Sequence, residues 1–349
     1  MDPVKGTIRF GVIGAGGMAR GNTGSMAAQD GVEVVAVSEP IEANRQAMKD
    51  HLKVKTLAEY DAQDGHLAMI KDMDLTAVGI NSPHTLHHEQ AMAALKAGVN
   101  VFIEKPMVVG IADSVELVEY AEKNDLLLLV GYQRHYEDLY VTGHNVIRDG
   151  LIGDVKRFRV FLAQQYDMAG SWRADPKYSG GGQINDSGSH LQDILLWMTG
   201  GVPLKARGSV DNLYRGELRD IPLNCDVEME FDNGAVGSIV IEGDHHPDFT
   251  ERVTIEGTQG TLKFRTGSLY LTKGTSTELV APVKPAGYPG GKNENFVACL
   301  RGTEENYSTG RSALNTTLMT DMILSLKDRT EVHRDEILSE ACLGLDRVV

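Results

Sequence analysis

Cysteine is scarce in this chain of 349 residues: Cys225, Cys299 and Cys342 are all there are. They are widely spaced, form no C-x-x-C pair and cannot all pair with one another. That argues against a disulfide framework and a thiolate zinc site, and for a reduced, cytoplasmic protein. Basic residues are in the minority, 34 against 49 acidic, for a formal net charge of −15. Such a balance argues against nucleic acid or an anionic membrane surface as partner and leaves a small-molecule substrate. Nowhere is there a run of about 18 apolar residues, the length that spans a bilayer. The opening MDPVKGTIRF has no apolar leader core, so neither a membrane span nor a signal peptide is expected. Internal repeats and low-complexity tracts are missing as well.

What is present is ample core material, 42% hydrophobic, in a chain long enough for two domains. Over the first 130 residues, strand and helix patterns alternate. Strands are expected at 8–13, 32–38, 75–81, 99–103 and 126–130. Helices are expected over Met18–Gln29, Leu86–Ala97 and Ala112–Asn124. Unalternating apolar strands separated by helices predict a parallel sheet covered on both faces. Beyond about residue 150 the texture changes to closely spaced strands: Lys156–Gln164, Cys225–Phe231, Ala235–Glu242, Arg252–Glu256 and Thr261–Phe264. Asn233-Gly234 is a strong hairpin signal. The stretch 282–293, PVKPAGYPGGKN, reads as a loop, and Ser312–Lys327 as a helix. The division expected is 1–130 and 131–349.

The segment IRFGVIGAGGMA, Ile8–Ala19, runs from a strand into a glycine-rich turn. Gly14, Gly16 and Ala19 fit the G-x-G-x-x-G/A fingerprint of a Rossmann nucleotide-binding unit. Gly14 permits the turn, Gly16 lets backbone approach a pyrophosphate, and Ala19 lets the helix pack close. The next strand ends in Glu39, placed to grip a ribose 2′-OH.

Three further constellations carry chemistry. Lys105, in Glu104-Lys105-Pro106, follows a parallel strand and faces the ligand crevice, or is a surface lysine before a turn. Asp186 and His190 stand one turn apart if 187–198 is helical. Asp186 then orients the imidazole, or is the helix N-cap with His190 an ordinary first-turn residue. Asp193 is another partner open to that ring. Asn81-Ser-Pro-His84-Thr-Leu-His87-His88 invites a metal reading, but no acidic or cysteine ligand is placed to complete it. A loop at the cofactor crevice is the better reading, and no metal is expected. Asp244-His245-His246-Pro247-Asp248 is likewise read as a polar loop. Tyr132, Arg134, Trp172 and Arg173 are candidates to contact a polyhydroxylated ligand, with packed aromatics and surface arginines as the alternative.

Taken in order, GVIGAGGMA, VVAVSEP, NSPHTLHHEQAMAALKAGVNVFIEKPM, GYQRHYE, LIGDVKRFRV and GGGQINDSGSHLQDILLWMTG resemble the Gfo/Idh/MocA oxidoreductases, the family of glucose–fructose oxidoreductase and inositol dehydrogenase. The resemblance covers nearly the whole chain. It implies an α/β Rossmann domain followed by an α+β domain with a large, mostly antiparallel open sheet. That sheet commonly joins subunits, so a homodimer or homotetramer is expected. The resemblance implies Lys105, Asp186 and His190 as catalytic residues. Cofactor contacts are expected at Gly14, Gly16, Gly17, Met18, Ala19, Glu39, Asn81, Ser82, Pro83, His87, Glu104 and Lys105. Substrate contacts are expected at Lys105, Arg134, Trp172, Arg173, Asp186 and His190. Glu39 departs from the family's more usual Asp. It favours NAD over NADP because a carboxylate repels a 2′-phosphate, while Arg45 is the residue that would accommodate one. The activity implied is hydride transfer between a secondary alcohol of a sugar, sugar derivative or cyclic polyol and the nicotinamide. Alternatives are a glycosidase or eliminase using transient oxidation by NAD, and a non-enzymatic sensor on the same fold.

Overall fold

The computed structural model describes residues 2–54, 56–211, 220–243, 248–265 and 267–348. They form two compact units, the first of Met1–Val109, Asp113–Tyr132 and Pro289–Gly310 and the second of Gly110–Ala112, Gln133–Tyr288 and Arg311–Val349.

Strand and helix alternate through the first unit: β1 (Ile8–Ile13), α1 (Gly17–Ala27), β2 (Val32–Ser38), α2 (Glu42–Leu52), β3 (Ala58–Tyr60), α3 (Gly65–Asp72), β4 (Ala77–Ile80), α4 (His87–Lys96), β5 (Asn100–Ile103), α5 (Ile111–Lys123) and β6 (Leu128–Val130). The six strands pair in parallel in the order β3-β2-β1-β4-β5-β6. Chain order reverses between β1 and β4. In such sheets the crevice beyond the carboxyl ends at that point takes the ligand. β1 and β2 lie where the apolar pattern puts them, and β4, β5 and β6 start one or two residues later than the pattern does.

The late segment Pro289–Gly310 also belongs to this unit, although the sequence reading kept it with the second domain. Phe296, from the helix Lys292–Arg301, is fully buried and meets Phe10 and Phe102 edge-on, at centroid distances of 6.5 and 5.7 Å. Further on, the β6 edge is closed: Val130 N–H donates to the Ser308 carbonyl at 2.9 Å, and the Asn306 amide donates to the Leu128 carbonyl at 3.0 Å. A covered edge cannot pair with a stray strand.

The second unit holds α6 (Asp138–Arg148), β7 (Val155–Ala163), α7 (Pro176–Ser179), α8 (Gly182–Asn185), α9 (Gly188–Thr199), β8 (Pro203–Asp211), β9 (Asn224–Phe231), β10 (Val236–Glu242), β11 (Thr250–Gly257), β12 (Thr261–Arg265), β13 (Ser268–Lys273) and β14 (Ser276–Val280). After the helix Lys292–Arg301, here α10, come α11 (Gly310–Ser325), β15 (Glu331–His333) and α12 (Arg334–Glu340). Nine strands form one sheet in the order β14-β13-β12-β11-β7-β10-β9-β8-β15. Only β7 and β10 pair in parallel. Asn233-Gly234 turns β9 into β10, with Gly234 at φ +81°. Along β9, Cys225, Val227, Met229 and Phe231 are buried while Asp226, Glu228 and Glu230 are exposed, so one face is core and the other is open. Among the described residues, no helix is long and apolar enough to cross a membrane.

Candidate active site

The glycine loop leaves β1 through Gly14. This residue has φ +80°, and a Cβ there would lie 2.9 Å from the Asn81 carbonyl carbon and the Ser82 nitrogen. Only glycine fits such a conformation and such a close approach. Gly16 precedes α1, and a Cβ on it would meet nothing within 4 Å. The first turn of α1, beginning Gly17-Met18, has no acidic residue and no side-chain cap. Its N–H groups and the positive end of the helix are therefore left for an anion, which fits the pyrophosphate of a dinucleotide. Met18 is exposed, and Ala19 is buried in the core as a small packing residue should be.

Glu39 closes β2 in a buried position. Its carboxylate accepts the Ala15 N–H at 2.8 Å and the Ile41 N–H at 3.0 Å, which ties it under the loop. Each carboxylate oxygen has a second acceptor site for a ribose hydroxyl. Arg45 is already engaged. It donates to Glu59 at 2.9 Å and to the carbonyls of Glu39 and Pro40 at 2.7 and 3.0 Å. Lys49 and Arg45 together hold the Glu59 carboxyl below its usual range.

Across the loop, Asn22 of α1 donates to Asn81 Oδ1 and Glu104 Oε1, each at 2.8 Å. The Ser82 hydroxyl bonds Gln90, and Pro83 precedes a single 3-10 turn, His84–Leu86. His87 is wholly buried. Its ring faces the Ser82 carbonyl at 3.0 Å through Nε2 and those of Pro106 and Met107 at 2.9 and 3.2 Å through Nδ1. Burial pushes its pKa down, against the pull of these carbonyls. His87, expected as a cofactor contact, stitches the Ser82 loop to the turn after Lys105. Glu104, expected in the same role, is buried and ion-paired with Lys292 of α10. Lys105 follows it, half-buried.

In the second unit α9 begins at Gly188, after Ser187, with no side-chain cap. The N-cap reading of Asp186 therefore fails. Its Oδ2 instead accepts the Tyr166 hydroxyl at 2.8 Å and Arg173 Nε at 2.7 Å. The carboxylate is buried, and His190 stands half-buried in the first turn of α9. Asp193, the other partner considered for His190, pairs with buried His135 at 2.8 Å. Next to the buried Asp186, the Tyr166 hydroxyl is pushed far above its ordinary pKa, first by burial and then by that charge. Tyr166 lies between recognisable motifs and was missed in the sequence.

Several expected contacts are redirected. Arg134 forks onto Glu251, which also accepts from Tyr140. The fork uses one N–H of each terminal nitrogen, and the guanidinium lies 5.0 Å from the centre of the Tyr140 ring. Tyr132 is buried. Trp172 and Arg173 stay half-exposed, with the guanidinium 4.2 Å over the indole ring. His88 gathers two carboxylates, 3.8 Å from Asp113 and 3.1 Å from Glu116. Asp113 lies in the first turn of α5, where negative charge is favourable, so two acidic side chains stand beside His88 although the sequence reading placed none there. Residues 244–247, from the polar loop considered for metal, lie outside the described residues.

Residues 8–132 match the oxidoreductase family with NAD-binding Rossmann fold, and residues 140–263 match the GFO/IDH/MocA C-terminal domain. The chain is 29% identical over 194 residues to inositol 2-dehydrogenase of Salmonella typhimurium, covering 55% of this chain and 54% of that one. It is 27% identical over 261 residues to dTDP-3,4-didehydro-2,6-dideoxy-alpha-D-glucose 3-reductase of Streptomyces antibioticus, over 73% and 75% of the two chains. The crystal structure of the WlbA dehydrogenase from Bordetella pertussis, in complex with NADH and UDP-GlcNAcA, superposes with a TM-score of 0.78 at 23% identity. That match spans 94% of this chain and 98% of the other, and it shows a shared fold. The chain belongs to the Gfo/Idh/MocA oxidoreductase family, with an NAD-binding Rossmann fold in its first unit.

Proposed function

We propose that the protein is a dehydrogenase that oxidises a secondary alcohol of a sugar, sugar derivative or cyclic polyol. NAD, when bound, supplies the hydride acceptor. His190 takes the hydroxyl proton. Asp186 stabilises the resulting imidazolium, and Lys105 hydrogen-bonds the same oxygen and steadies its developing charge. The observation that carries this reading is Asp186, a buried carboxylate held by Tyr166 and Arg173 one turn before His190. The inositol dehydrogenase and sugar reductase among the relatives support the substrate class.

Preference for NAD over NADP rests on Glu39, pinned under the glycine loop, and on Arg45, already spent on Glu59 and two carbonyls. Cys225, Cys299 and Cys342 are free thiols, which suits a cytoplasmic protein. The open sheet face, with Arg157 and Arg159 beside Glu228 and Glu230, suits pairing with a second copy, and light scattering checks that. The function is tested by screening inositols, aldoses and their acids for NADH formation. Turnover with a polyol or sugar, better with NAD than NADP, is expected. Glycoside cleavage with no NADH released sinks the reading.

A further inference from the structure

The sequence reading gives the histidines at the start of α4 no acidic ligand; the fold supplies two. Asp113 and Glu116 share one face of α5, and both carboxylates meet the ring of His88 on α4. His87, next to it, cannot serve as a ligand, because both its ring nitrogens face backbone carbonyls. Its contacts with Pro106 and Met107 tie the first turn of α4 to the stretch that leads into α5. His88 Nε2 is shielded from solvent and makes no hydrogen bond among the described residues, yet Glu116 Oε2 lies 3.1 Å away. Two ligand atoms each about 2.1 Å from one metal ion stand about 3.0–3.4 Å apart. One ligand atom from each of His88, Asp113 and Glu116 lies within 4.8 Å of the others. Asp113 is the farther carboxylate, 3.8 Å from the ring at Nδ1. Its side chain is 53% exposed and has no partner but this ring among the described residues, so it is free to turn toward an ion. No lysine or arginine among the described residues pairs with either carboxylate, and the chain as a whole carries a net charge of −15.

We propose that His88, Asp113 and Glu116 bind a divalent transition-metal ion of the zinc or manganese class, which staples α4 to α5 in the nucleotide-binding unit. One imidazole with two carboxylates is a mixed nitrogen and oxygen set. It suits such ions better than magnesium or calcium, which take oxygen ligands. Water fills the remaining positions, since both carboxylates are exposed. The site uses none of the residues assigned to hydride transfer, so it stands or falls apart from that reading.

The full chain, freed of metal with a chelator and desalted, is titrated calorimetrically with zinc chloride, manganese chloride and magnesium chloride. Zinc is expected to bind at one site per chain, more tightly than manganese, with magnesium the weakest. His88→Gln, Asp113→Asn and Glu116→Gln each remove a donor or its charge. Each should weaken zinc binding by at least about 10-fold, the lower end of the loss when even a supporting group at a metal site is removed. His333→Gln is the control. His333 meets Glu331 at 3.1 Å on the surface of the second unit, and its replacement leaves zinc binding unchanged. No zinc binding, magnesium bound as tightly as zinc, or equal zinc affinity in the wild type and His88→Gln overturns the proposal. Should His88→Gln fail to fold, the two carboxylate variants carry the test, because both side chains are more than half exposed. Unchanged affinity in both then overturns it.

Discussion

Asp186 receives an arginine and a tyrosine on one carboxylate oxygen. In the proposed mechanism this carboxylate holds charge one turn before His190. His190→Ala is therefore expected to lower turnover by about 10²–10⁴-fold, the usual worth of a general base, with NAD binding near normal. Calorimetric titration with NAD alongside initial rates separates the two. Asp186→Asn keeps an acceptor for Tyr166 or Arg173 but loses the negative charge, so turnover falls here too. A variant that loses only melting temperature gives Asp186 to the scaffold. The proposed catalytic trio was legible because its members sit in dense local motifs. The distant partners of Asp186, Arg134 and Glu104 were not. Tyr166 is 20 residues from Asp186, Glu251 is 117 from Arg134, and Lys292 is 188 from Glu104. Pairing over such distances is a property of the fold, and no spacing rule reaches it.

Elements were legible where burial is one-sided or complete. β1, β2, β7 and β9 carry runs of apolar residues or strict alternation, and they form within a residue or so of expectation. β3 is three residues with none fully buried, and β14 is exposed almost throughout, so neither leaves a pattern to read. α10 was obscured by the Pro-Gly-Gly just before it, and the expected loop 282–293 takes in its first two residues. Its return to the first unit makes a prediction at this scale. Phe296 is fully buried between Phe10 and Phe102, so Phe296→Ala should cost about 3–5 kcal/mol. Denaturant unfolding followed together with NAD binding checks it. The loss should appear in the nucleotide-binding unit, because α10 packs in that unit's core. A loss below about 1 kcal/mol, the cost expected at a surface position, would place α10 outside it.

Acid stability belongs to the whole molecule, because its contributors are spread through the chain. Burial lowers the pKa of His66, His87 and His144, the last from 6.5 to about 4. Below pH 6.5 the unfolded chain binds protons that these folded histidines refuse, so stability falls with pH from there, and for His144 down to about 4. Each refused proton contributes at most about 1.4 kcal/mol per pH unit, less where solvent screens the ring. The carboxylates Glu59 and Glu104 act in the same direction at lower pH. Their folded values lie below 4.5, so their stabilisation is present above that pH and is lost as pH falls through the folded values. The expected profile is flat near neutrality and declines in two overlapping stages. His144 gives the clean test of the first. Its ring stacks on Trp197 at 4.2 Å and 2°, so His144→Phe keeps a stacked ring and removes the proton site. Unfolding midpoints measured from about pH 7.5 to 4 should then fall less steeply than in the wild type while agreeing with it at neutrality. Parallel profiles across that whole range would mean that the folded His144 binds its proton as readily as the unfolded one.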